Sequence, residues 1–206
     1  MTTESDISLE ETSSFTGQEQ TVATKMASLE ILSLNKTDLF SKEECEKILA
    51  SCIQDLWLPS KVIGEKTLHK SSRQKLRGEV AGFPFDNIRS ATKTVNDDIY
   101  DFRLLGIIDQ DFPQVFKYSE GDYYNWHMEI NPMAPSRKLS FIINLSDPAD
   151  YTGGEIEFLN MNSSTFTVHE QGACLIFPSF LTYKINPVTT GNKHIIVGHI
   201  HGALFR

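Results

Sequence analysis

The sequence is poor in cysteine, in basic residues and in long apolar runs, and each shortage excludes a class of protein. Three cysteines in 206 residues are too few for a disulfide-rich secreted scaffold, so we expect a reduced, cytoplasmic protein. Nineteen Lys and Arg against 27 Asp and Glu give a net charge of −8, so no nucleic-acid partner is expected. No apolar run reaches about 18 residues, so no membrane span is expected. The N-terminus also lacks the basic start and apolar stretch of a secretory signal.

The composition that remains is typical of one folded domain preceded by a tail. Residues 1–28 are rich in Ser, Thr, Glu and Gln, and they carry −4 of the net charge of −8. Because this segment offers few apolar groups to bury, it is predicted to be a flexible acidic tail. Residues 29–206 are predicted to form the folded domain.

The first part of that domain, residues 41–98, has the pattern of a helical support layer. Ser41 and Glu44 stand at the spacing of a capping box, with apolar residues at helical spacing after them. A helix is therefore predicted from Lys42 to about Leu56. A second helix is predicted over residues 86–98.

From residue 99 onward the sequence changes to short β-forming runs separated by Gly, Pro, Asn and Asp clusters. The predicted strands are 102–106, 114–118, 123–129, 138–145, 155–159, 165–168, 174–177, 183–185 and 194–201. Short strands at this spacing predict a double-sheet jelly roll of the cupin kind, also called a double-stranded β-helix, over residues 99–206. The expected fold class is thus mainly β with flanking helices.

The candidate chemistry begins with His127 and Glu129, which are separated by one residue. In an extended strand such side chains point to the same face. An imidazole nitrogen and a carboxylate oxygen would converge there, as two of the three ligands of a 2-His-1-carboxylate iron site. On its own, however, the pair is more often part of a solvated strand face.

Further motifs precede and follow that pair in a fixed order. They are Tyr118, Gly121 and Tyr124 before it, and 137–141, 145–148, 153–155, 177–179, 186–191 and 193–198 after it. In joint order and spacing, residues 99–202 resemble the 2-oxoglutarate- and Fe(II)-dependent oxygenases of the prolyl 4-hydroxylase group, in particular the bacterial PKHD-type hydroxylases.

The resemblance implies a role for each matching residue. His127 and Glu129 would be metal ligands, although the family more often has Asp at the second position. Lys193 would pair with the distal carboxylate of 2-oxoglutarate, and the Tyr118 hydroxyl would donate to the same carboxylate. His201 falls where some members keep a histidine beside the cosubstrate. The last three residues also have purely structural interpretations. Lys193 could be a surface charge, Tyr118 a core aromatic with a solvated hydroxyl, and His201 an interior histidine with its hydrogen bonds satisfied.

One position departs from the family pattern. Ten residues before the cosubstrate lysine the family has its third metal ligand, a histidine, and this sequence has Tyr183. Four alternatives are open. In the first, Tyr183 ligates iron as a phenolate. In the second, His127, Glu129 and the keto acid hold the metal, with water in the vacant place. In the third, His199 or His201 supplies the missing nitrogen, and in the fourth the protein has no catalytic turnover.

The function implied by the resemblance is hydroxylation of a C–H bond, coupled to conversion of 2-oxoglutarate and O2 into succinate and CO2. Fe(II) is the expected metal and ascorbate the expected reductant, and a prolyl side chain or a small molecule is the expected substrate. Substrate contacts are expected from residues 59–80 and 131–136. The alternative is a non-catalytic jelly-roll module that binds a small acid or a peptide.

Overall fold

The computed structural model describes residues 39–60, 68–79, 81–159 and 168–205. The chain divides into two units, residues 1–30 and 31–206, and all described residues lie in the second. The predicted acidic tail and most of the predicted strand 165–168 therefore lie outside the described residues. None of the helices in the described ranges is both long and apolar enough to cross a membrane.

Helix α1, Lys42–Ala50, begins at the predicted capping box. The Ser41 hydroxyl accepts from the backbone N–H of Glu44 at 3.2 Å, and the Glu44 carboxylate accepts from the backbone N–H of Ser41 at 2.8 Å. The helix ends earlier than predicted because the chain turns away after Ala50. Ile53 is already extended, and its N–H donates to a side chain 21 residues further on.

Helix α2, Phe85–Val95, continues into a π-helical turn, Asn96–Tyr100. The turn ends at Asp101, whose φ of 52° reverses the chain direction. The backbone of Phe102 is then held by the Asn96 side chain, which accepts from its N–H at 2.9 Å and donates to its carbonyl at 3.0 Å.

Within the described residues, the remaining structure is built from twelve β-strands. They are β1 Leu58–Pro59, β2 His69–Lys70, β3 Ser72–Lys75, β4 Leu104–Gly106, β5 Gln114–Ser119, β6 Tyr123–His127, β7 Arg137–Asn144, β8 Tyr151–Gly153, β9 Ile156–Phe158, β10 Cys174–Pro178, β11 Tyr183–Ile185 and β12 Val188–Gly202. A large sheet has the order β1-β3-β5-β12-β7-β10, with β4 and β8 also paired to β12, and a small sheet has the order β2-β6-β11-β9.

The large sheet is covered on both faces, and alternate residues of its strands separate two cores. On one face Ile142, Leu175 and Ile195 pack with residues of the small sheet in an inner core. On the other face Phe141 and Ile196 pack in a second core that includes residues of α1 and α2. This arrangement confirms the predicted jelly roll, with both helices supporting the sheet from one side.

The segment 59–80 differs from the expectation of helical support alone, because it contributes β2, β3 and the end of β1 to the sheets. β3 pairs with β5 and β2 pairs with β6. Strands of two to four residues are too short to show a period in the sequence. The pairing places His69 and Arg73 at the edge of the space between the two sheets.

Candidate functional site

Two neighbouring strands of the small sheet bring the predicted metal ligands together. His127 at the end of β6 is the Cα partner of Tyr183 at the start of β11. Glu129 lies just beyond the end of β6, where its N–H donates to the Ser179 carbonyl at 3.1 Å. Its Oε1 lies 3.4 Å from His127 Nε2 and accepts from the Tyr183 hydroxyl at 2.7 Å. The side chains therefore converge although the strand is shorter than predicted.

The second oxygen of Glu129 faces the large sheet. Arg137 donates through one nitrogen to Glu129 Oε2 at 3.0 Å and to the Glu129 carbonyl at 2.9 Å, and His199 Nε2 lies 3.5 Å from the same Oε2. Burial alone would raise the pKa of this carboxyl, but His199, His127 and Arg137 outweigh it and hold the pKa well below its usual range. Glu129 is thus a buried carboxylate.

The ring of His127 is oriented as a metal-ligating imidazole would be. Its Nδ1 lies 2.7 Å from the Asn125 carbonyl, and since a carbonyl only accepts, Nδ1 carries the proton. Nε2 is then an acceptor, and it is buried without a hydrogen-bond partner in the structure. A histidine that donates its other N–H to a backbone carbonyl is the common arrangement around bound metals. His127 and Glu129 together therefore fit a divalent cation.

Tyr183 differs chemically from the histidine that it replaces. Burial and the adjacent Glu129 carboxylate raise its pKa well above the usual value. It is a neutral phenol that donates a hydrogen bond to Glu129. Across the described part of the chain, no group of three or more His, Cys, Asp or Glu side chains is arranged to hold a metal ion.

His69 is a buried residue of the site that the sequence analysis did not identify. Its Nε2 lies 3.0 Å from the Tyr118 hydroxyl and 2.8 Å from the Ser71 hydroxyl. Its ring stacks on Tyr124 at 3.8 Å, and Tyr124 in turn stacks on His127 at 3.4 Å. Burial lowers the pKa of His69 to about 3, so the ring is neutral at pH 7.

Lys193 is buried, with 1% of its surface exposed. Its Nζ donates to the Gly154 carbonyl at 2.6 Å and lies 5.3 Å from the centre of the Tyr151 ring. Burial lowers its pKa to about 8. Lys193 is the Cα partner of Tyr118 across β12 and β5, so the two side chains share the inner face of the large sheet. Lys193 itself does not line the cavity described below.

The two candidate histidines of β12 have different positions. His201 lies between Ser136, at 2.8 Å from Nδ1, and Asp111, at 3.0 Å from Nε2. His199 instead reaches Glu129, and its Nδ1 lies 3.1 Å from the Ser140 hydroxyl. Of the two, only His199 is close to the predicted metal ligands.

A cavity of about 200 Å³ lies between the sheets in front of Glu129. Its walls include His69, Arg73, Phe116, Tyr118, Tyr124 and Tyr183. Arg137 and His199 also line it, and Ser60, His69 and Arg73 come from the segment in which substrate contacts were predicted. The cavity is mainly polar with an aromatic wall, and it is open to small molecules.

Part of the chain is similar in sequence to known proteins. Residues 113–201 match the family model of the 2OG-Fe(II) oxygenase superfamily. The chain is 32% identical over 85 residues to a PKHD-type hydroxylase of Idiomarina loihiensis, covering 41% of this chain and 39% of that protein. It is 33% identical over 118 residues to a PKHD-type hydroxylase of a Synechococcus species, covering 54% and 53%. These matches thus span about half or less of the relatives' length.

Solved structures show the same fold at low sequence identity. A prolyl hydroxylase from Trichoplax adhaerens, in complex with a peptide fragment of the oxygen degradation domain of hypoxia inducible factor, superimposes with a TM-score of 0.66 at 14% identity. The match covers 92% of this chain and 94% of that one. At this identity the likeness supports the jelly-roll fold and nothing beyond it.

Proposed function

We propose that this protein is a 2-oxoglutarate- and Fe(II)-dependent hydroxylase of the prolyl 4-hydroxylase-like group, because residues 113–201 match the family model of the 2OG-Fe(II) oxygenase superfamily. The observation that carries the proposal is the pairing of Glu129, a carboxylate that lines the cavity, with the buried, unpartnered Nε2 of His127.

His127 and Glu129 would hold the iron, and each is prepared by its neighbours. The Asn125 carbonyl keeps the Nε2 lone pair of His127 available, and Arg137 keeps Glu129 ionised and fixed. When bound together, Fe(II) and 2-oxoglutarate supply the oxidising chemistry, with O2 consumed, succinate and CO2 released and a C–H bond hydroxylated.

Tyr183 would act as a hydrogen-bond donor to Glu129 and not as a third ligand. A phenolate ligand requires loss of the proton that now bonds to Glu129, and the surroundings raise the pKa of Tyr183. This supports the arrangement in which two protein side chains and the keto acid hold the metal.

Lys193 and Tyr118 would bind the distal carboxylate of 2-oxoglutarate. Lys193 is buried, and among the described residues it belongs to no ion pair closer than 4.0 Å. A desolvated ammonium is costly without an anion, so an organic diacid beside it would restore the charge balance. The Tyr118 hydroxyl is held by His69 at 3.0 Å, which would orient it toward the same anion.

The substrate class within this proposal is a C–H bond of a prolyl side chain in a peptide or protein, or of a small molecule, with ascorbate as reductant by family analogy. The peptide alternative is drawn by analogy with the prolyl hydroxylase of the same fold that was solved with a peptide. Ser60 and Arg73 line the cavity, and both belong to the segment expected to contact substrate.

A second candidate function is a binding module without turnover. One observation favours it: both oxygens of Glu129 are already hydrogen bonded, one to Tyr183 and one to Arg137. Iron would have to compete with these partners for the carboxylate.

One experiment separates the two functions. The protein is incubated with Fe(II), 2-oxoglutarate and O2, and succinate is measured beside His127→Ala and His194→Ala variants. His194 is a matched control, since it lies away from the site beside Ser146. The hydroxylase predicts iron-dependent succinate that is lost only in His127→Ala. No succinate and no metal binding in the unmodified protein would favour the binding module.

A further inference from the structure

The charged side chains that line the cavity divide into a paired set and one unpaired residue. Arg137 donates to both oxygens of Asp111, at 2.6 and 2.8 Å, and to Glu129 at 3.0 Å. His201 also contacts Asp111. The two cavity carboxylates are therefore satisfied within this network. Arg73 is the fourth charged residue of the lining, and it stands outside the network.

Arg73 has no acidic partner in the part of the chain that the structure describes. It lies on β3 opposite Phe116 of β5, and Phe116 also lines the cavity. One of its guanidinium nitrogens donates to the Gln114 side-chain oxygen at 3.2 Å. The salt bridges of the described residues include none to Arg73. Among the described residues, this inward-facing arginine therefore has no counter-ion, although the chain as a whole is acidic, with a net charge of −8.

The surroundings of Arg73 suit an anionic group of a bound molecule. A guanidinium presents several N–H donors in a planar fork that matches the two oxygens of a carboxylate. Two aromatic residues share the lining with Arg73: Phe116, its partner on β5, and Tyr124, which stacks on His127. The cavity lining therefore combines an arginine cation, aromatic side chains and Glu129, one of the two predicted metal ligands.

We infer that Arg73 binds a carboxylate of the substrate, so that this protein selects substrates carrying an acidic group near the C–H bond that is oxidised. The inference rests on the proposed function and deepens it by naming the substrate chemistry. The carboxylate has two sources, an acidic side chain of a peptide or a free small acid. The chemistry at Arg73 is the same for both.

The test compares acidic probes with their uncharged amides. One pair of probes is a randomised hexapeptide library with one position fixed as Asp or Glu, and the same library with Asn or Gln there. The other pair is a pool of small amino and aliphatic carboxylic acids, and the pool of their primary amides. Succinate release at saturating 2-oxoglutarate and Fe(II) is measured above the rate without probe. Binding of the same four pools is measured by ligand-observed NMR.

Four proteins are compared: the unmodified chain, Arg73→Gln, Arg73→Lys and Lys117→Gln. Lys117→Gln is the matched control. Lys117 follows Phe116 on β5, so its side chain points to the other face of the sheet, and the substitution removes one positive charge there. At least one acidic pool should stimulate succinate release and bind roughly tenfold better than its amide pool. That preference should disappear in Arg73→Gln, partly survive in Arg73→Lys and persist in Lys117→Gln. The pool that shows it identifies the source of the carboxylate.

Several results would overturn the inference. Equal responses to acids and amides, including no binding of any pool, contradict a carboxylate site. So does a preference that survives in Arg73→Gln. A large loss of probe-independent succinate in Arg73→Gln would instead assign Arg73 to the keto acid. If the unmodified protein makes no succinate at all, the proposed function fails, and the binding comparison still decides the role of Arg73.

Discussion

Tyr183 is the residue on which the proposed chemistry depends most. Its spacing from Lys193 shows that a tyrosine stands where the family has a histidine, but the spacing does not reveal what the tyrosine contacts. The structure shows a protonated phenol that donates to Glu129 at 2.7 Å. Sequence spacing gives which strand face a residue occupies, whereas the partner of a hydroxyl depends on contacts between distant segments.

A spectroscopic prediction follows for Tyr183. A phenolate bound to ferric iron absorbs visible light by charge transfer, whereas a phenol that donates to Glu129 does not. The ferric protein should therefore lack such a band, and Tyr183→Phe should retain iron binding within a few-fold. Absorption spectroscopy and metal titration measure both. A band in the unmodified protein that Tyr183→Phe abolishes would show instead that Tyr183 is a ligand.

Lys193 gives a prediction with opposite effects on stability and on binding. Burial lowers its pKa from 10.5 to about 8. Between pH 8 and pH 10.5 the unfolded state therefore binds more protons than the folded state. The free energy of unfolding should therefore rise with pH from about 8 to about 10.5, by on the order of 3 kcal/mol at most. Over the same range the ammonium is lost, and affinity for 2-oxoglutarate should fall.

Lys193→Met is the control for this pH dependence. It should remove both the rise in stability, measured by urea unfolding, and the pH-dependent part of 2-oxoglutarate affinity, measured by calorimetry. An affinity for 2-oxoglutarate that is the same at pH 7 and pH 10 in the unmodified protein would argue against Lys193 as the carboxylate partner.

At the scale of elements, β12 organises the molecule, since it pairs with β4, β5, β7 and β8. Its close approach to neighbouring elements depends on Gly198. A Cβ at that position would lie 2.4 Å from the Phe141 ring and 2.9 Å from Pro113. Both neighbours are rigid, and Phe141 lies in the second core, which includes residues of α1 and α2. The backbone of β12 therefore cannot easily move away from them.

Gly198→Ala should therefore destabilise the protein by about 1–3 kcal/mol through overpacking. Gly82→Ala is a suitable control, because its Cβ would meet only the flexible Glu79 side chain, at 2.9 and 3.2 Å. Its effect should stay within about 0.5 kcal/mol. Chemical denaturation of both variants measures the difference. Equal effects would mean that the contact between β12 and β7 tolerates an added methyl group.

The elements that the sequence predicted are those with a clear local pattern. The capping box of α1 and the short β-forming runs of β5, β7 and β10 each specify structure within a few residues. β2 and β3 were not predicted, because they are two and four residues long and pair only with strands distant in sequence. His69 and Arg73 were missed for the same reason. Their part of the site exists only once β3 pairs with β5 and β2 with β6.

For the whole molecule, the account predicts linkage between ligand binding and folding. The inner core and the cavity share residues of both sheets, including Tyr118, Tyr183 and Val197. A metal and a diacid bound there would contact residues from both sheets and stabilise the folded state. At ligand concentrations about 100-fold above the dissociation constant, the gain is about 2.7 kcal/mol.

Thermal unfolding in the presence of 2-oxoglutarate and Mn(II) checks this linkage. Mn(II) is used in place of Fe(II) because it does not react with O2. The two ligands together should raise Tm by several degrees. His127→Ala should abolish the contribution of Mn(II), while His194→Ala should keep it. A shift of the same size in His127→Ala would place the metal elsewhere.

The most direct measurement is anomalous diffraction at the iron edge, from crystals grown without oxygen in the presence of Fe(II) and 2-oxoglutarate. The account predicts one peak within bonding distance of His127 Nε2 and Glu129 Oε1, with the keto acid extending toward Lys193. A peak at another site, or none at an iron concentration that saturates binding in solution, would contradict it.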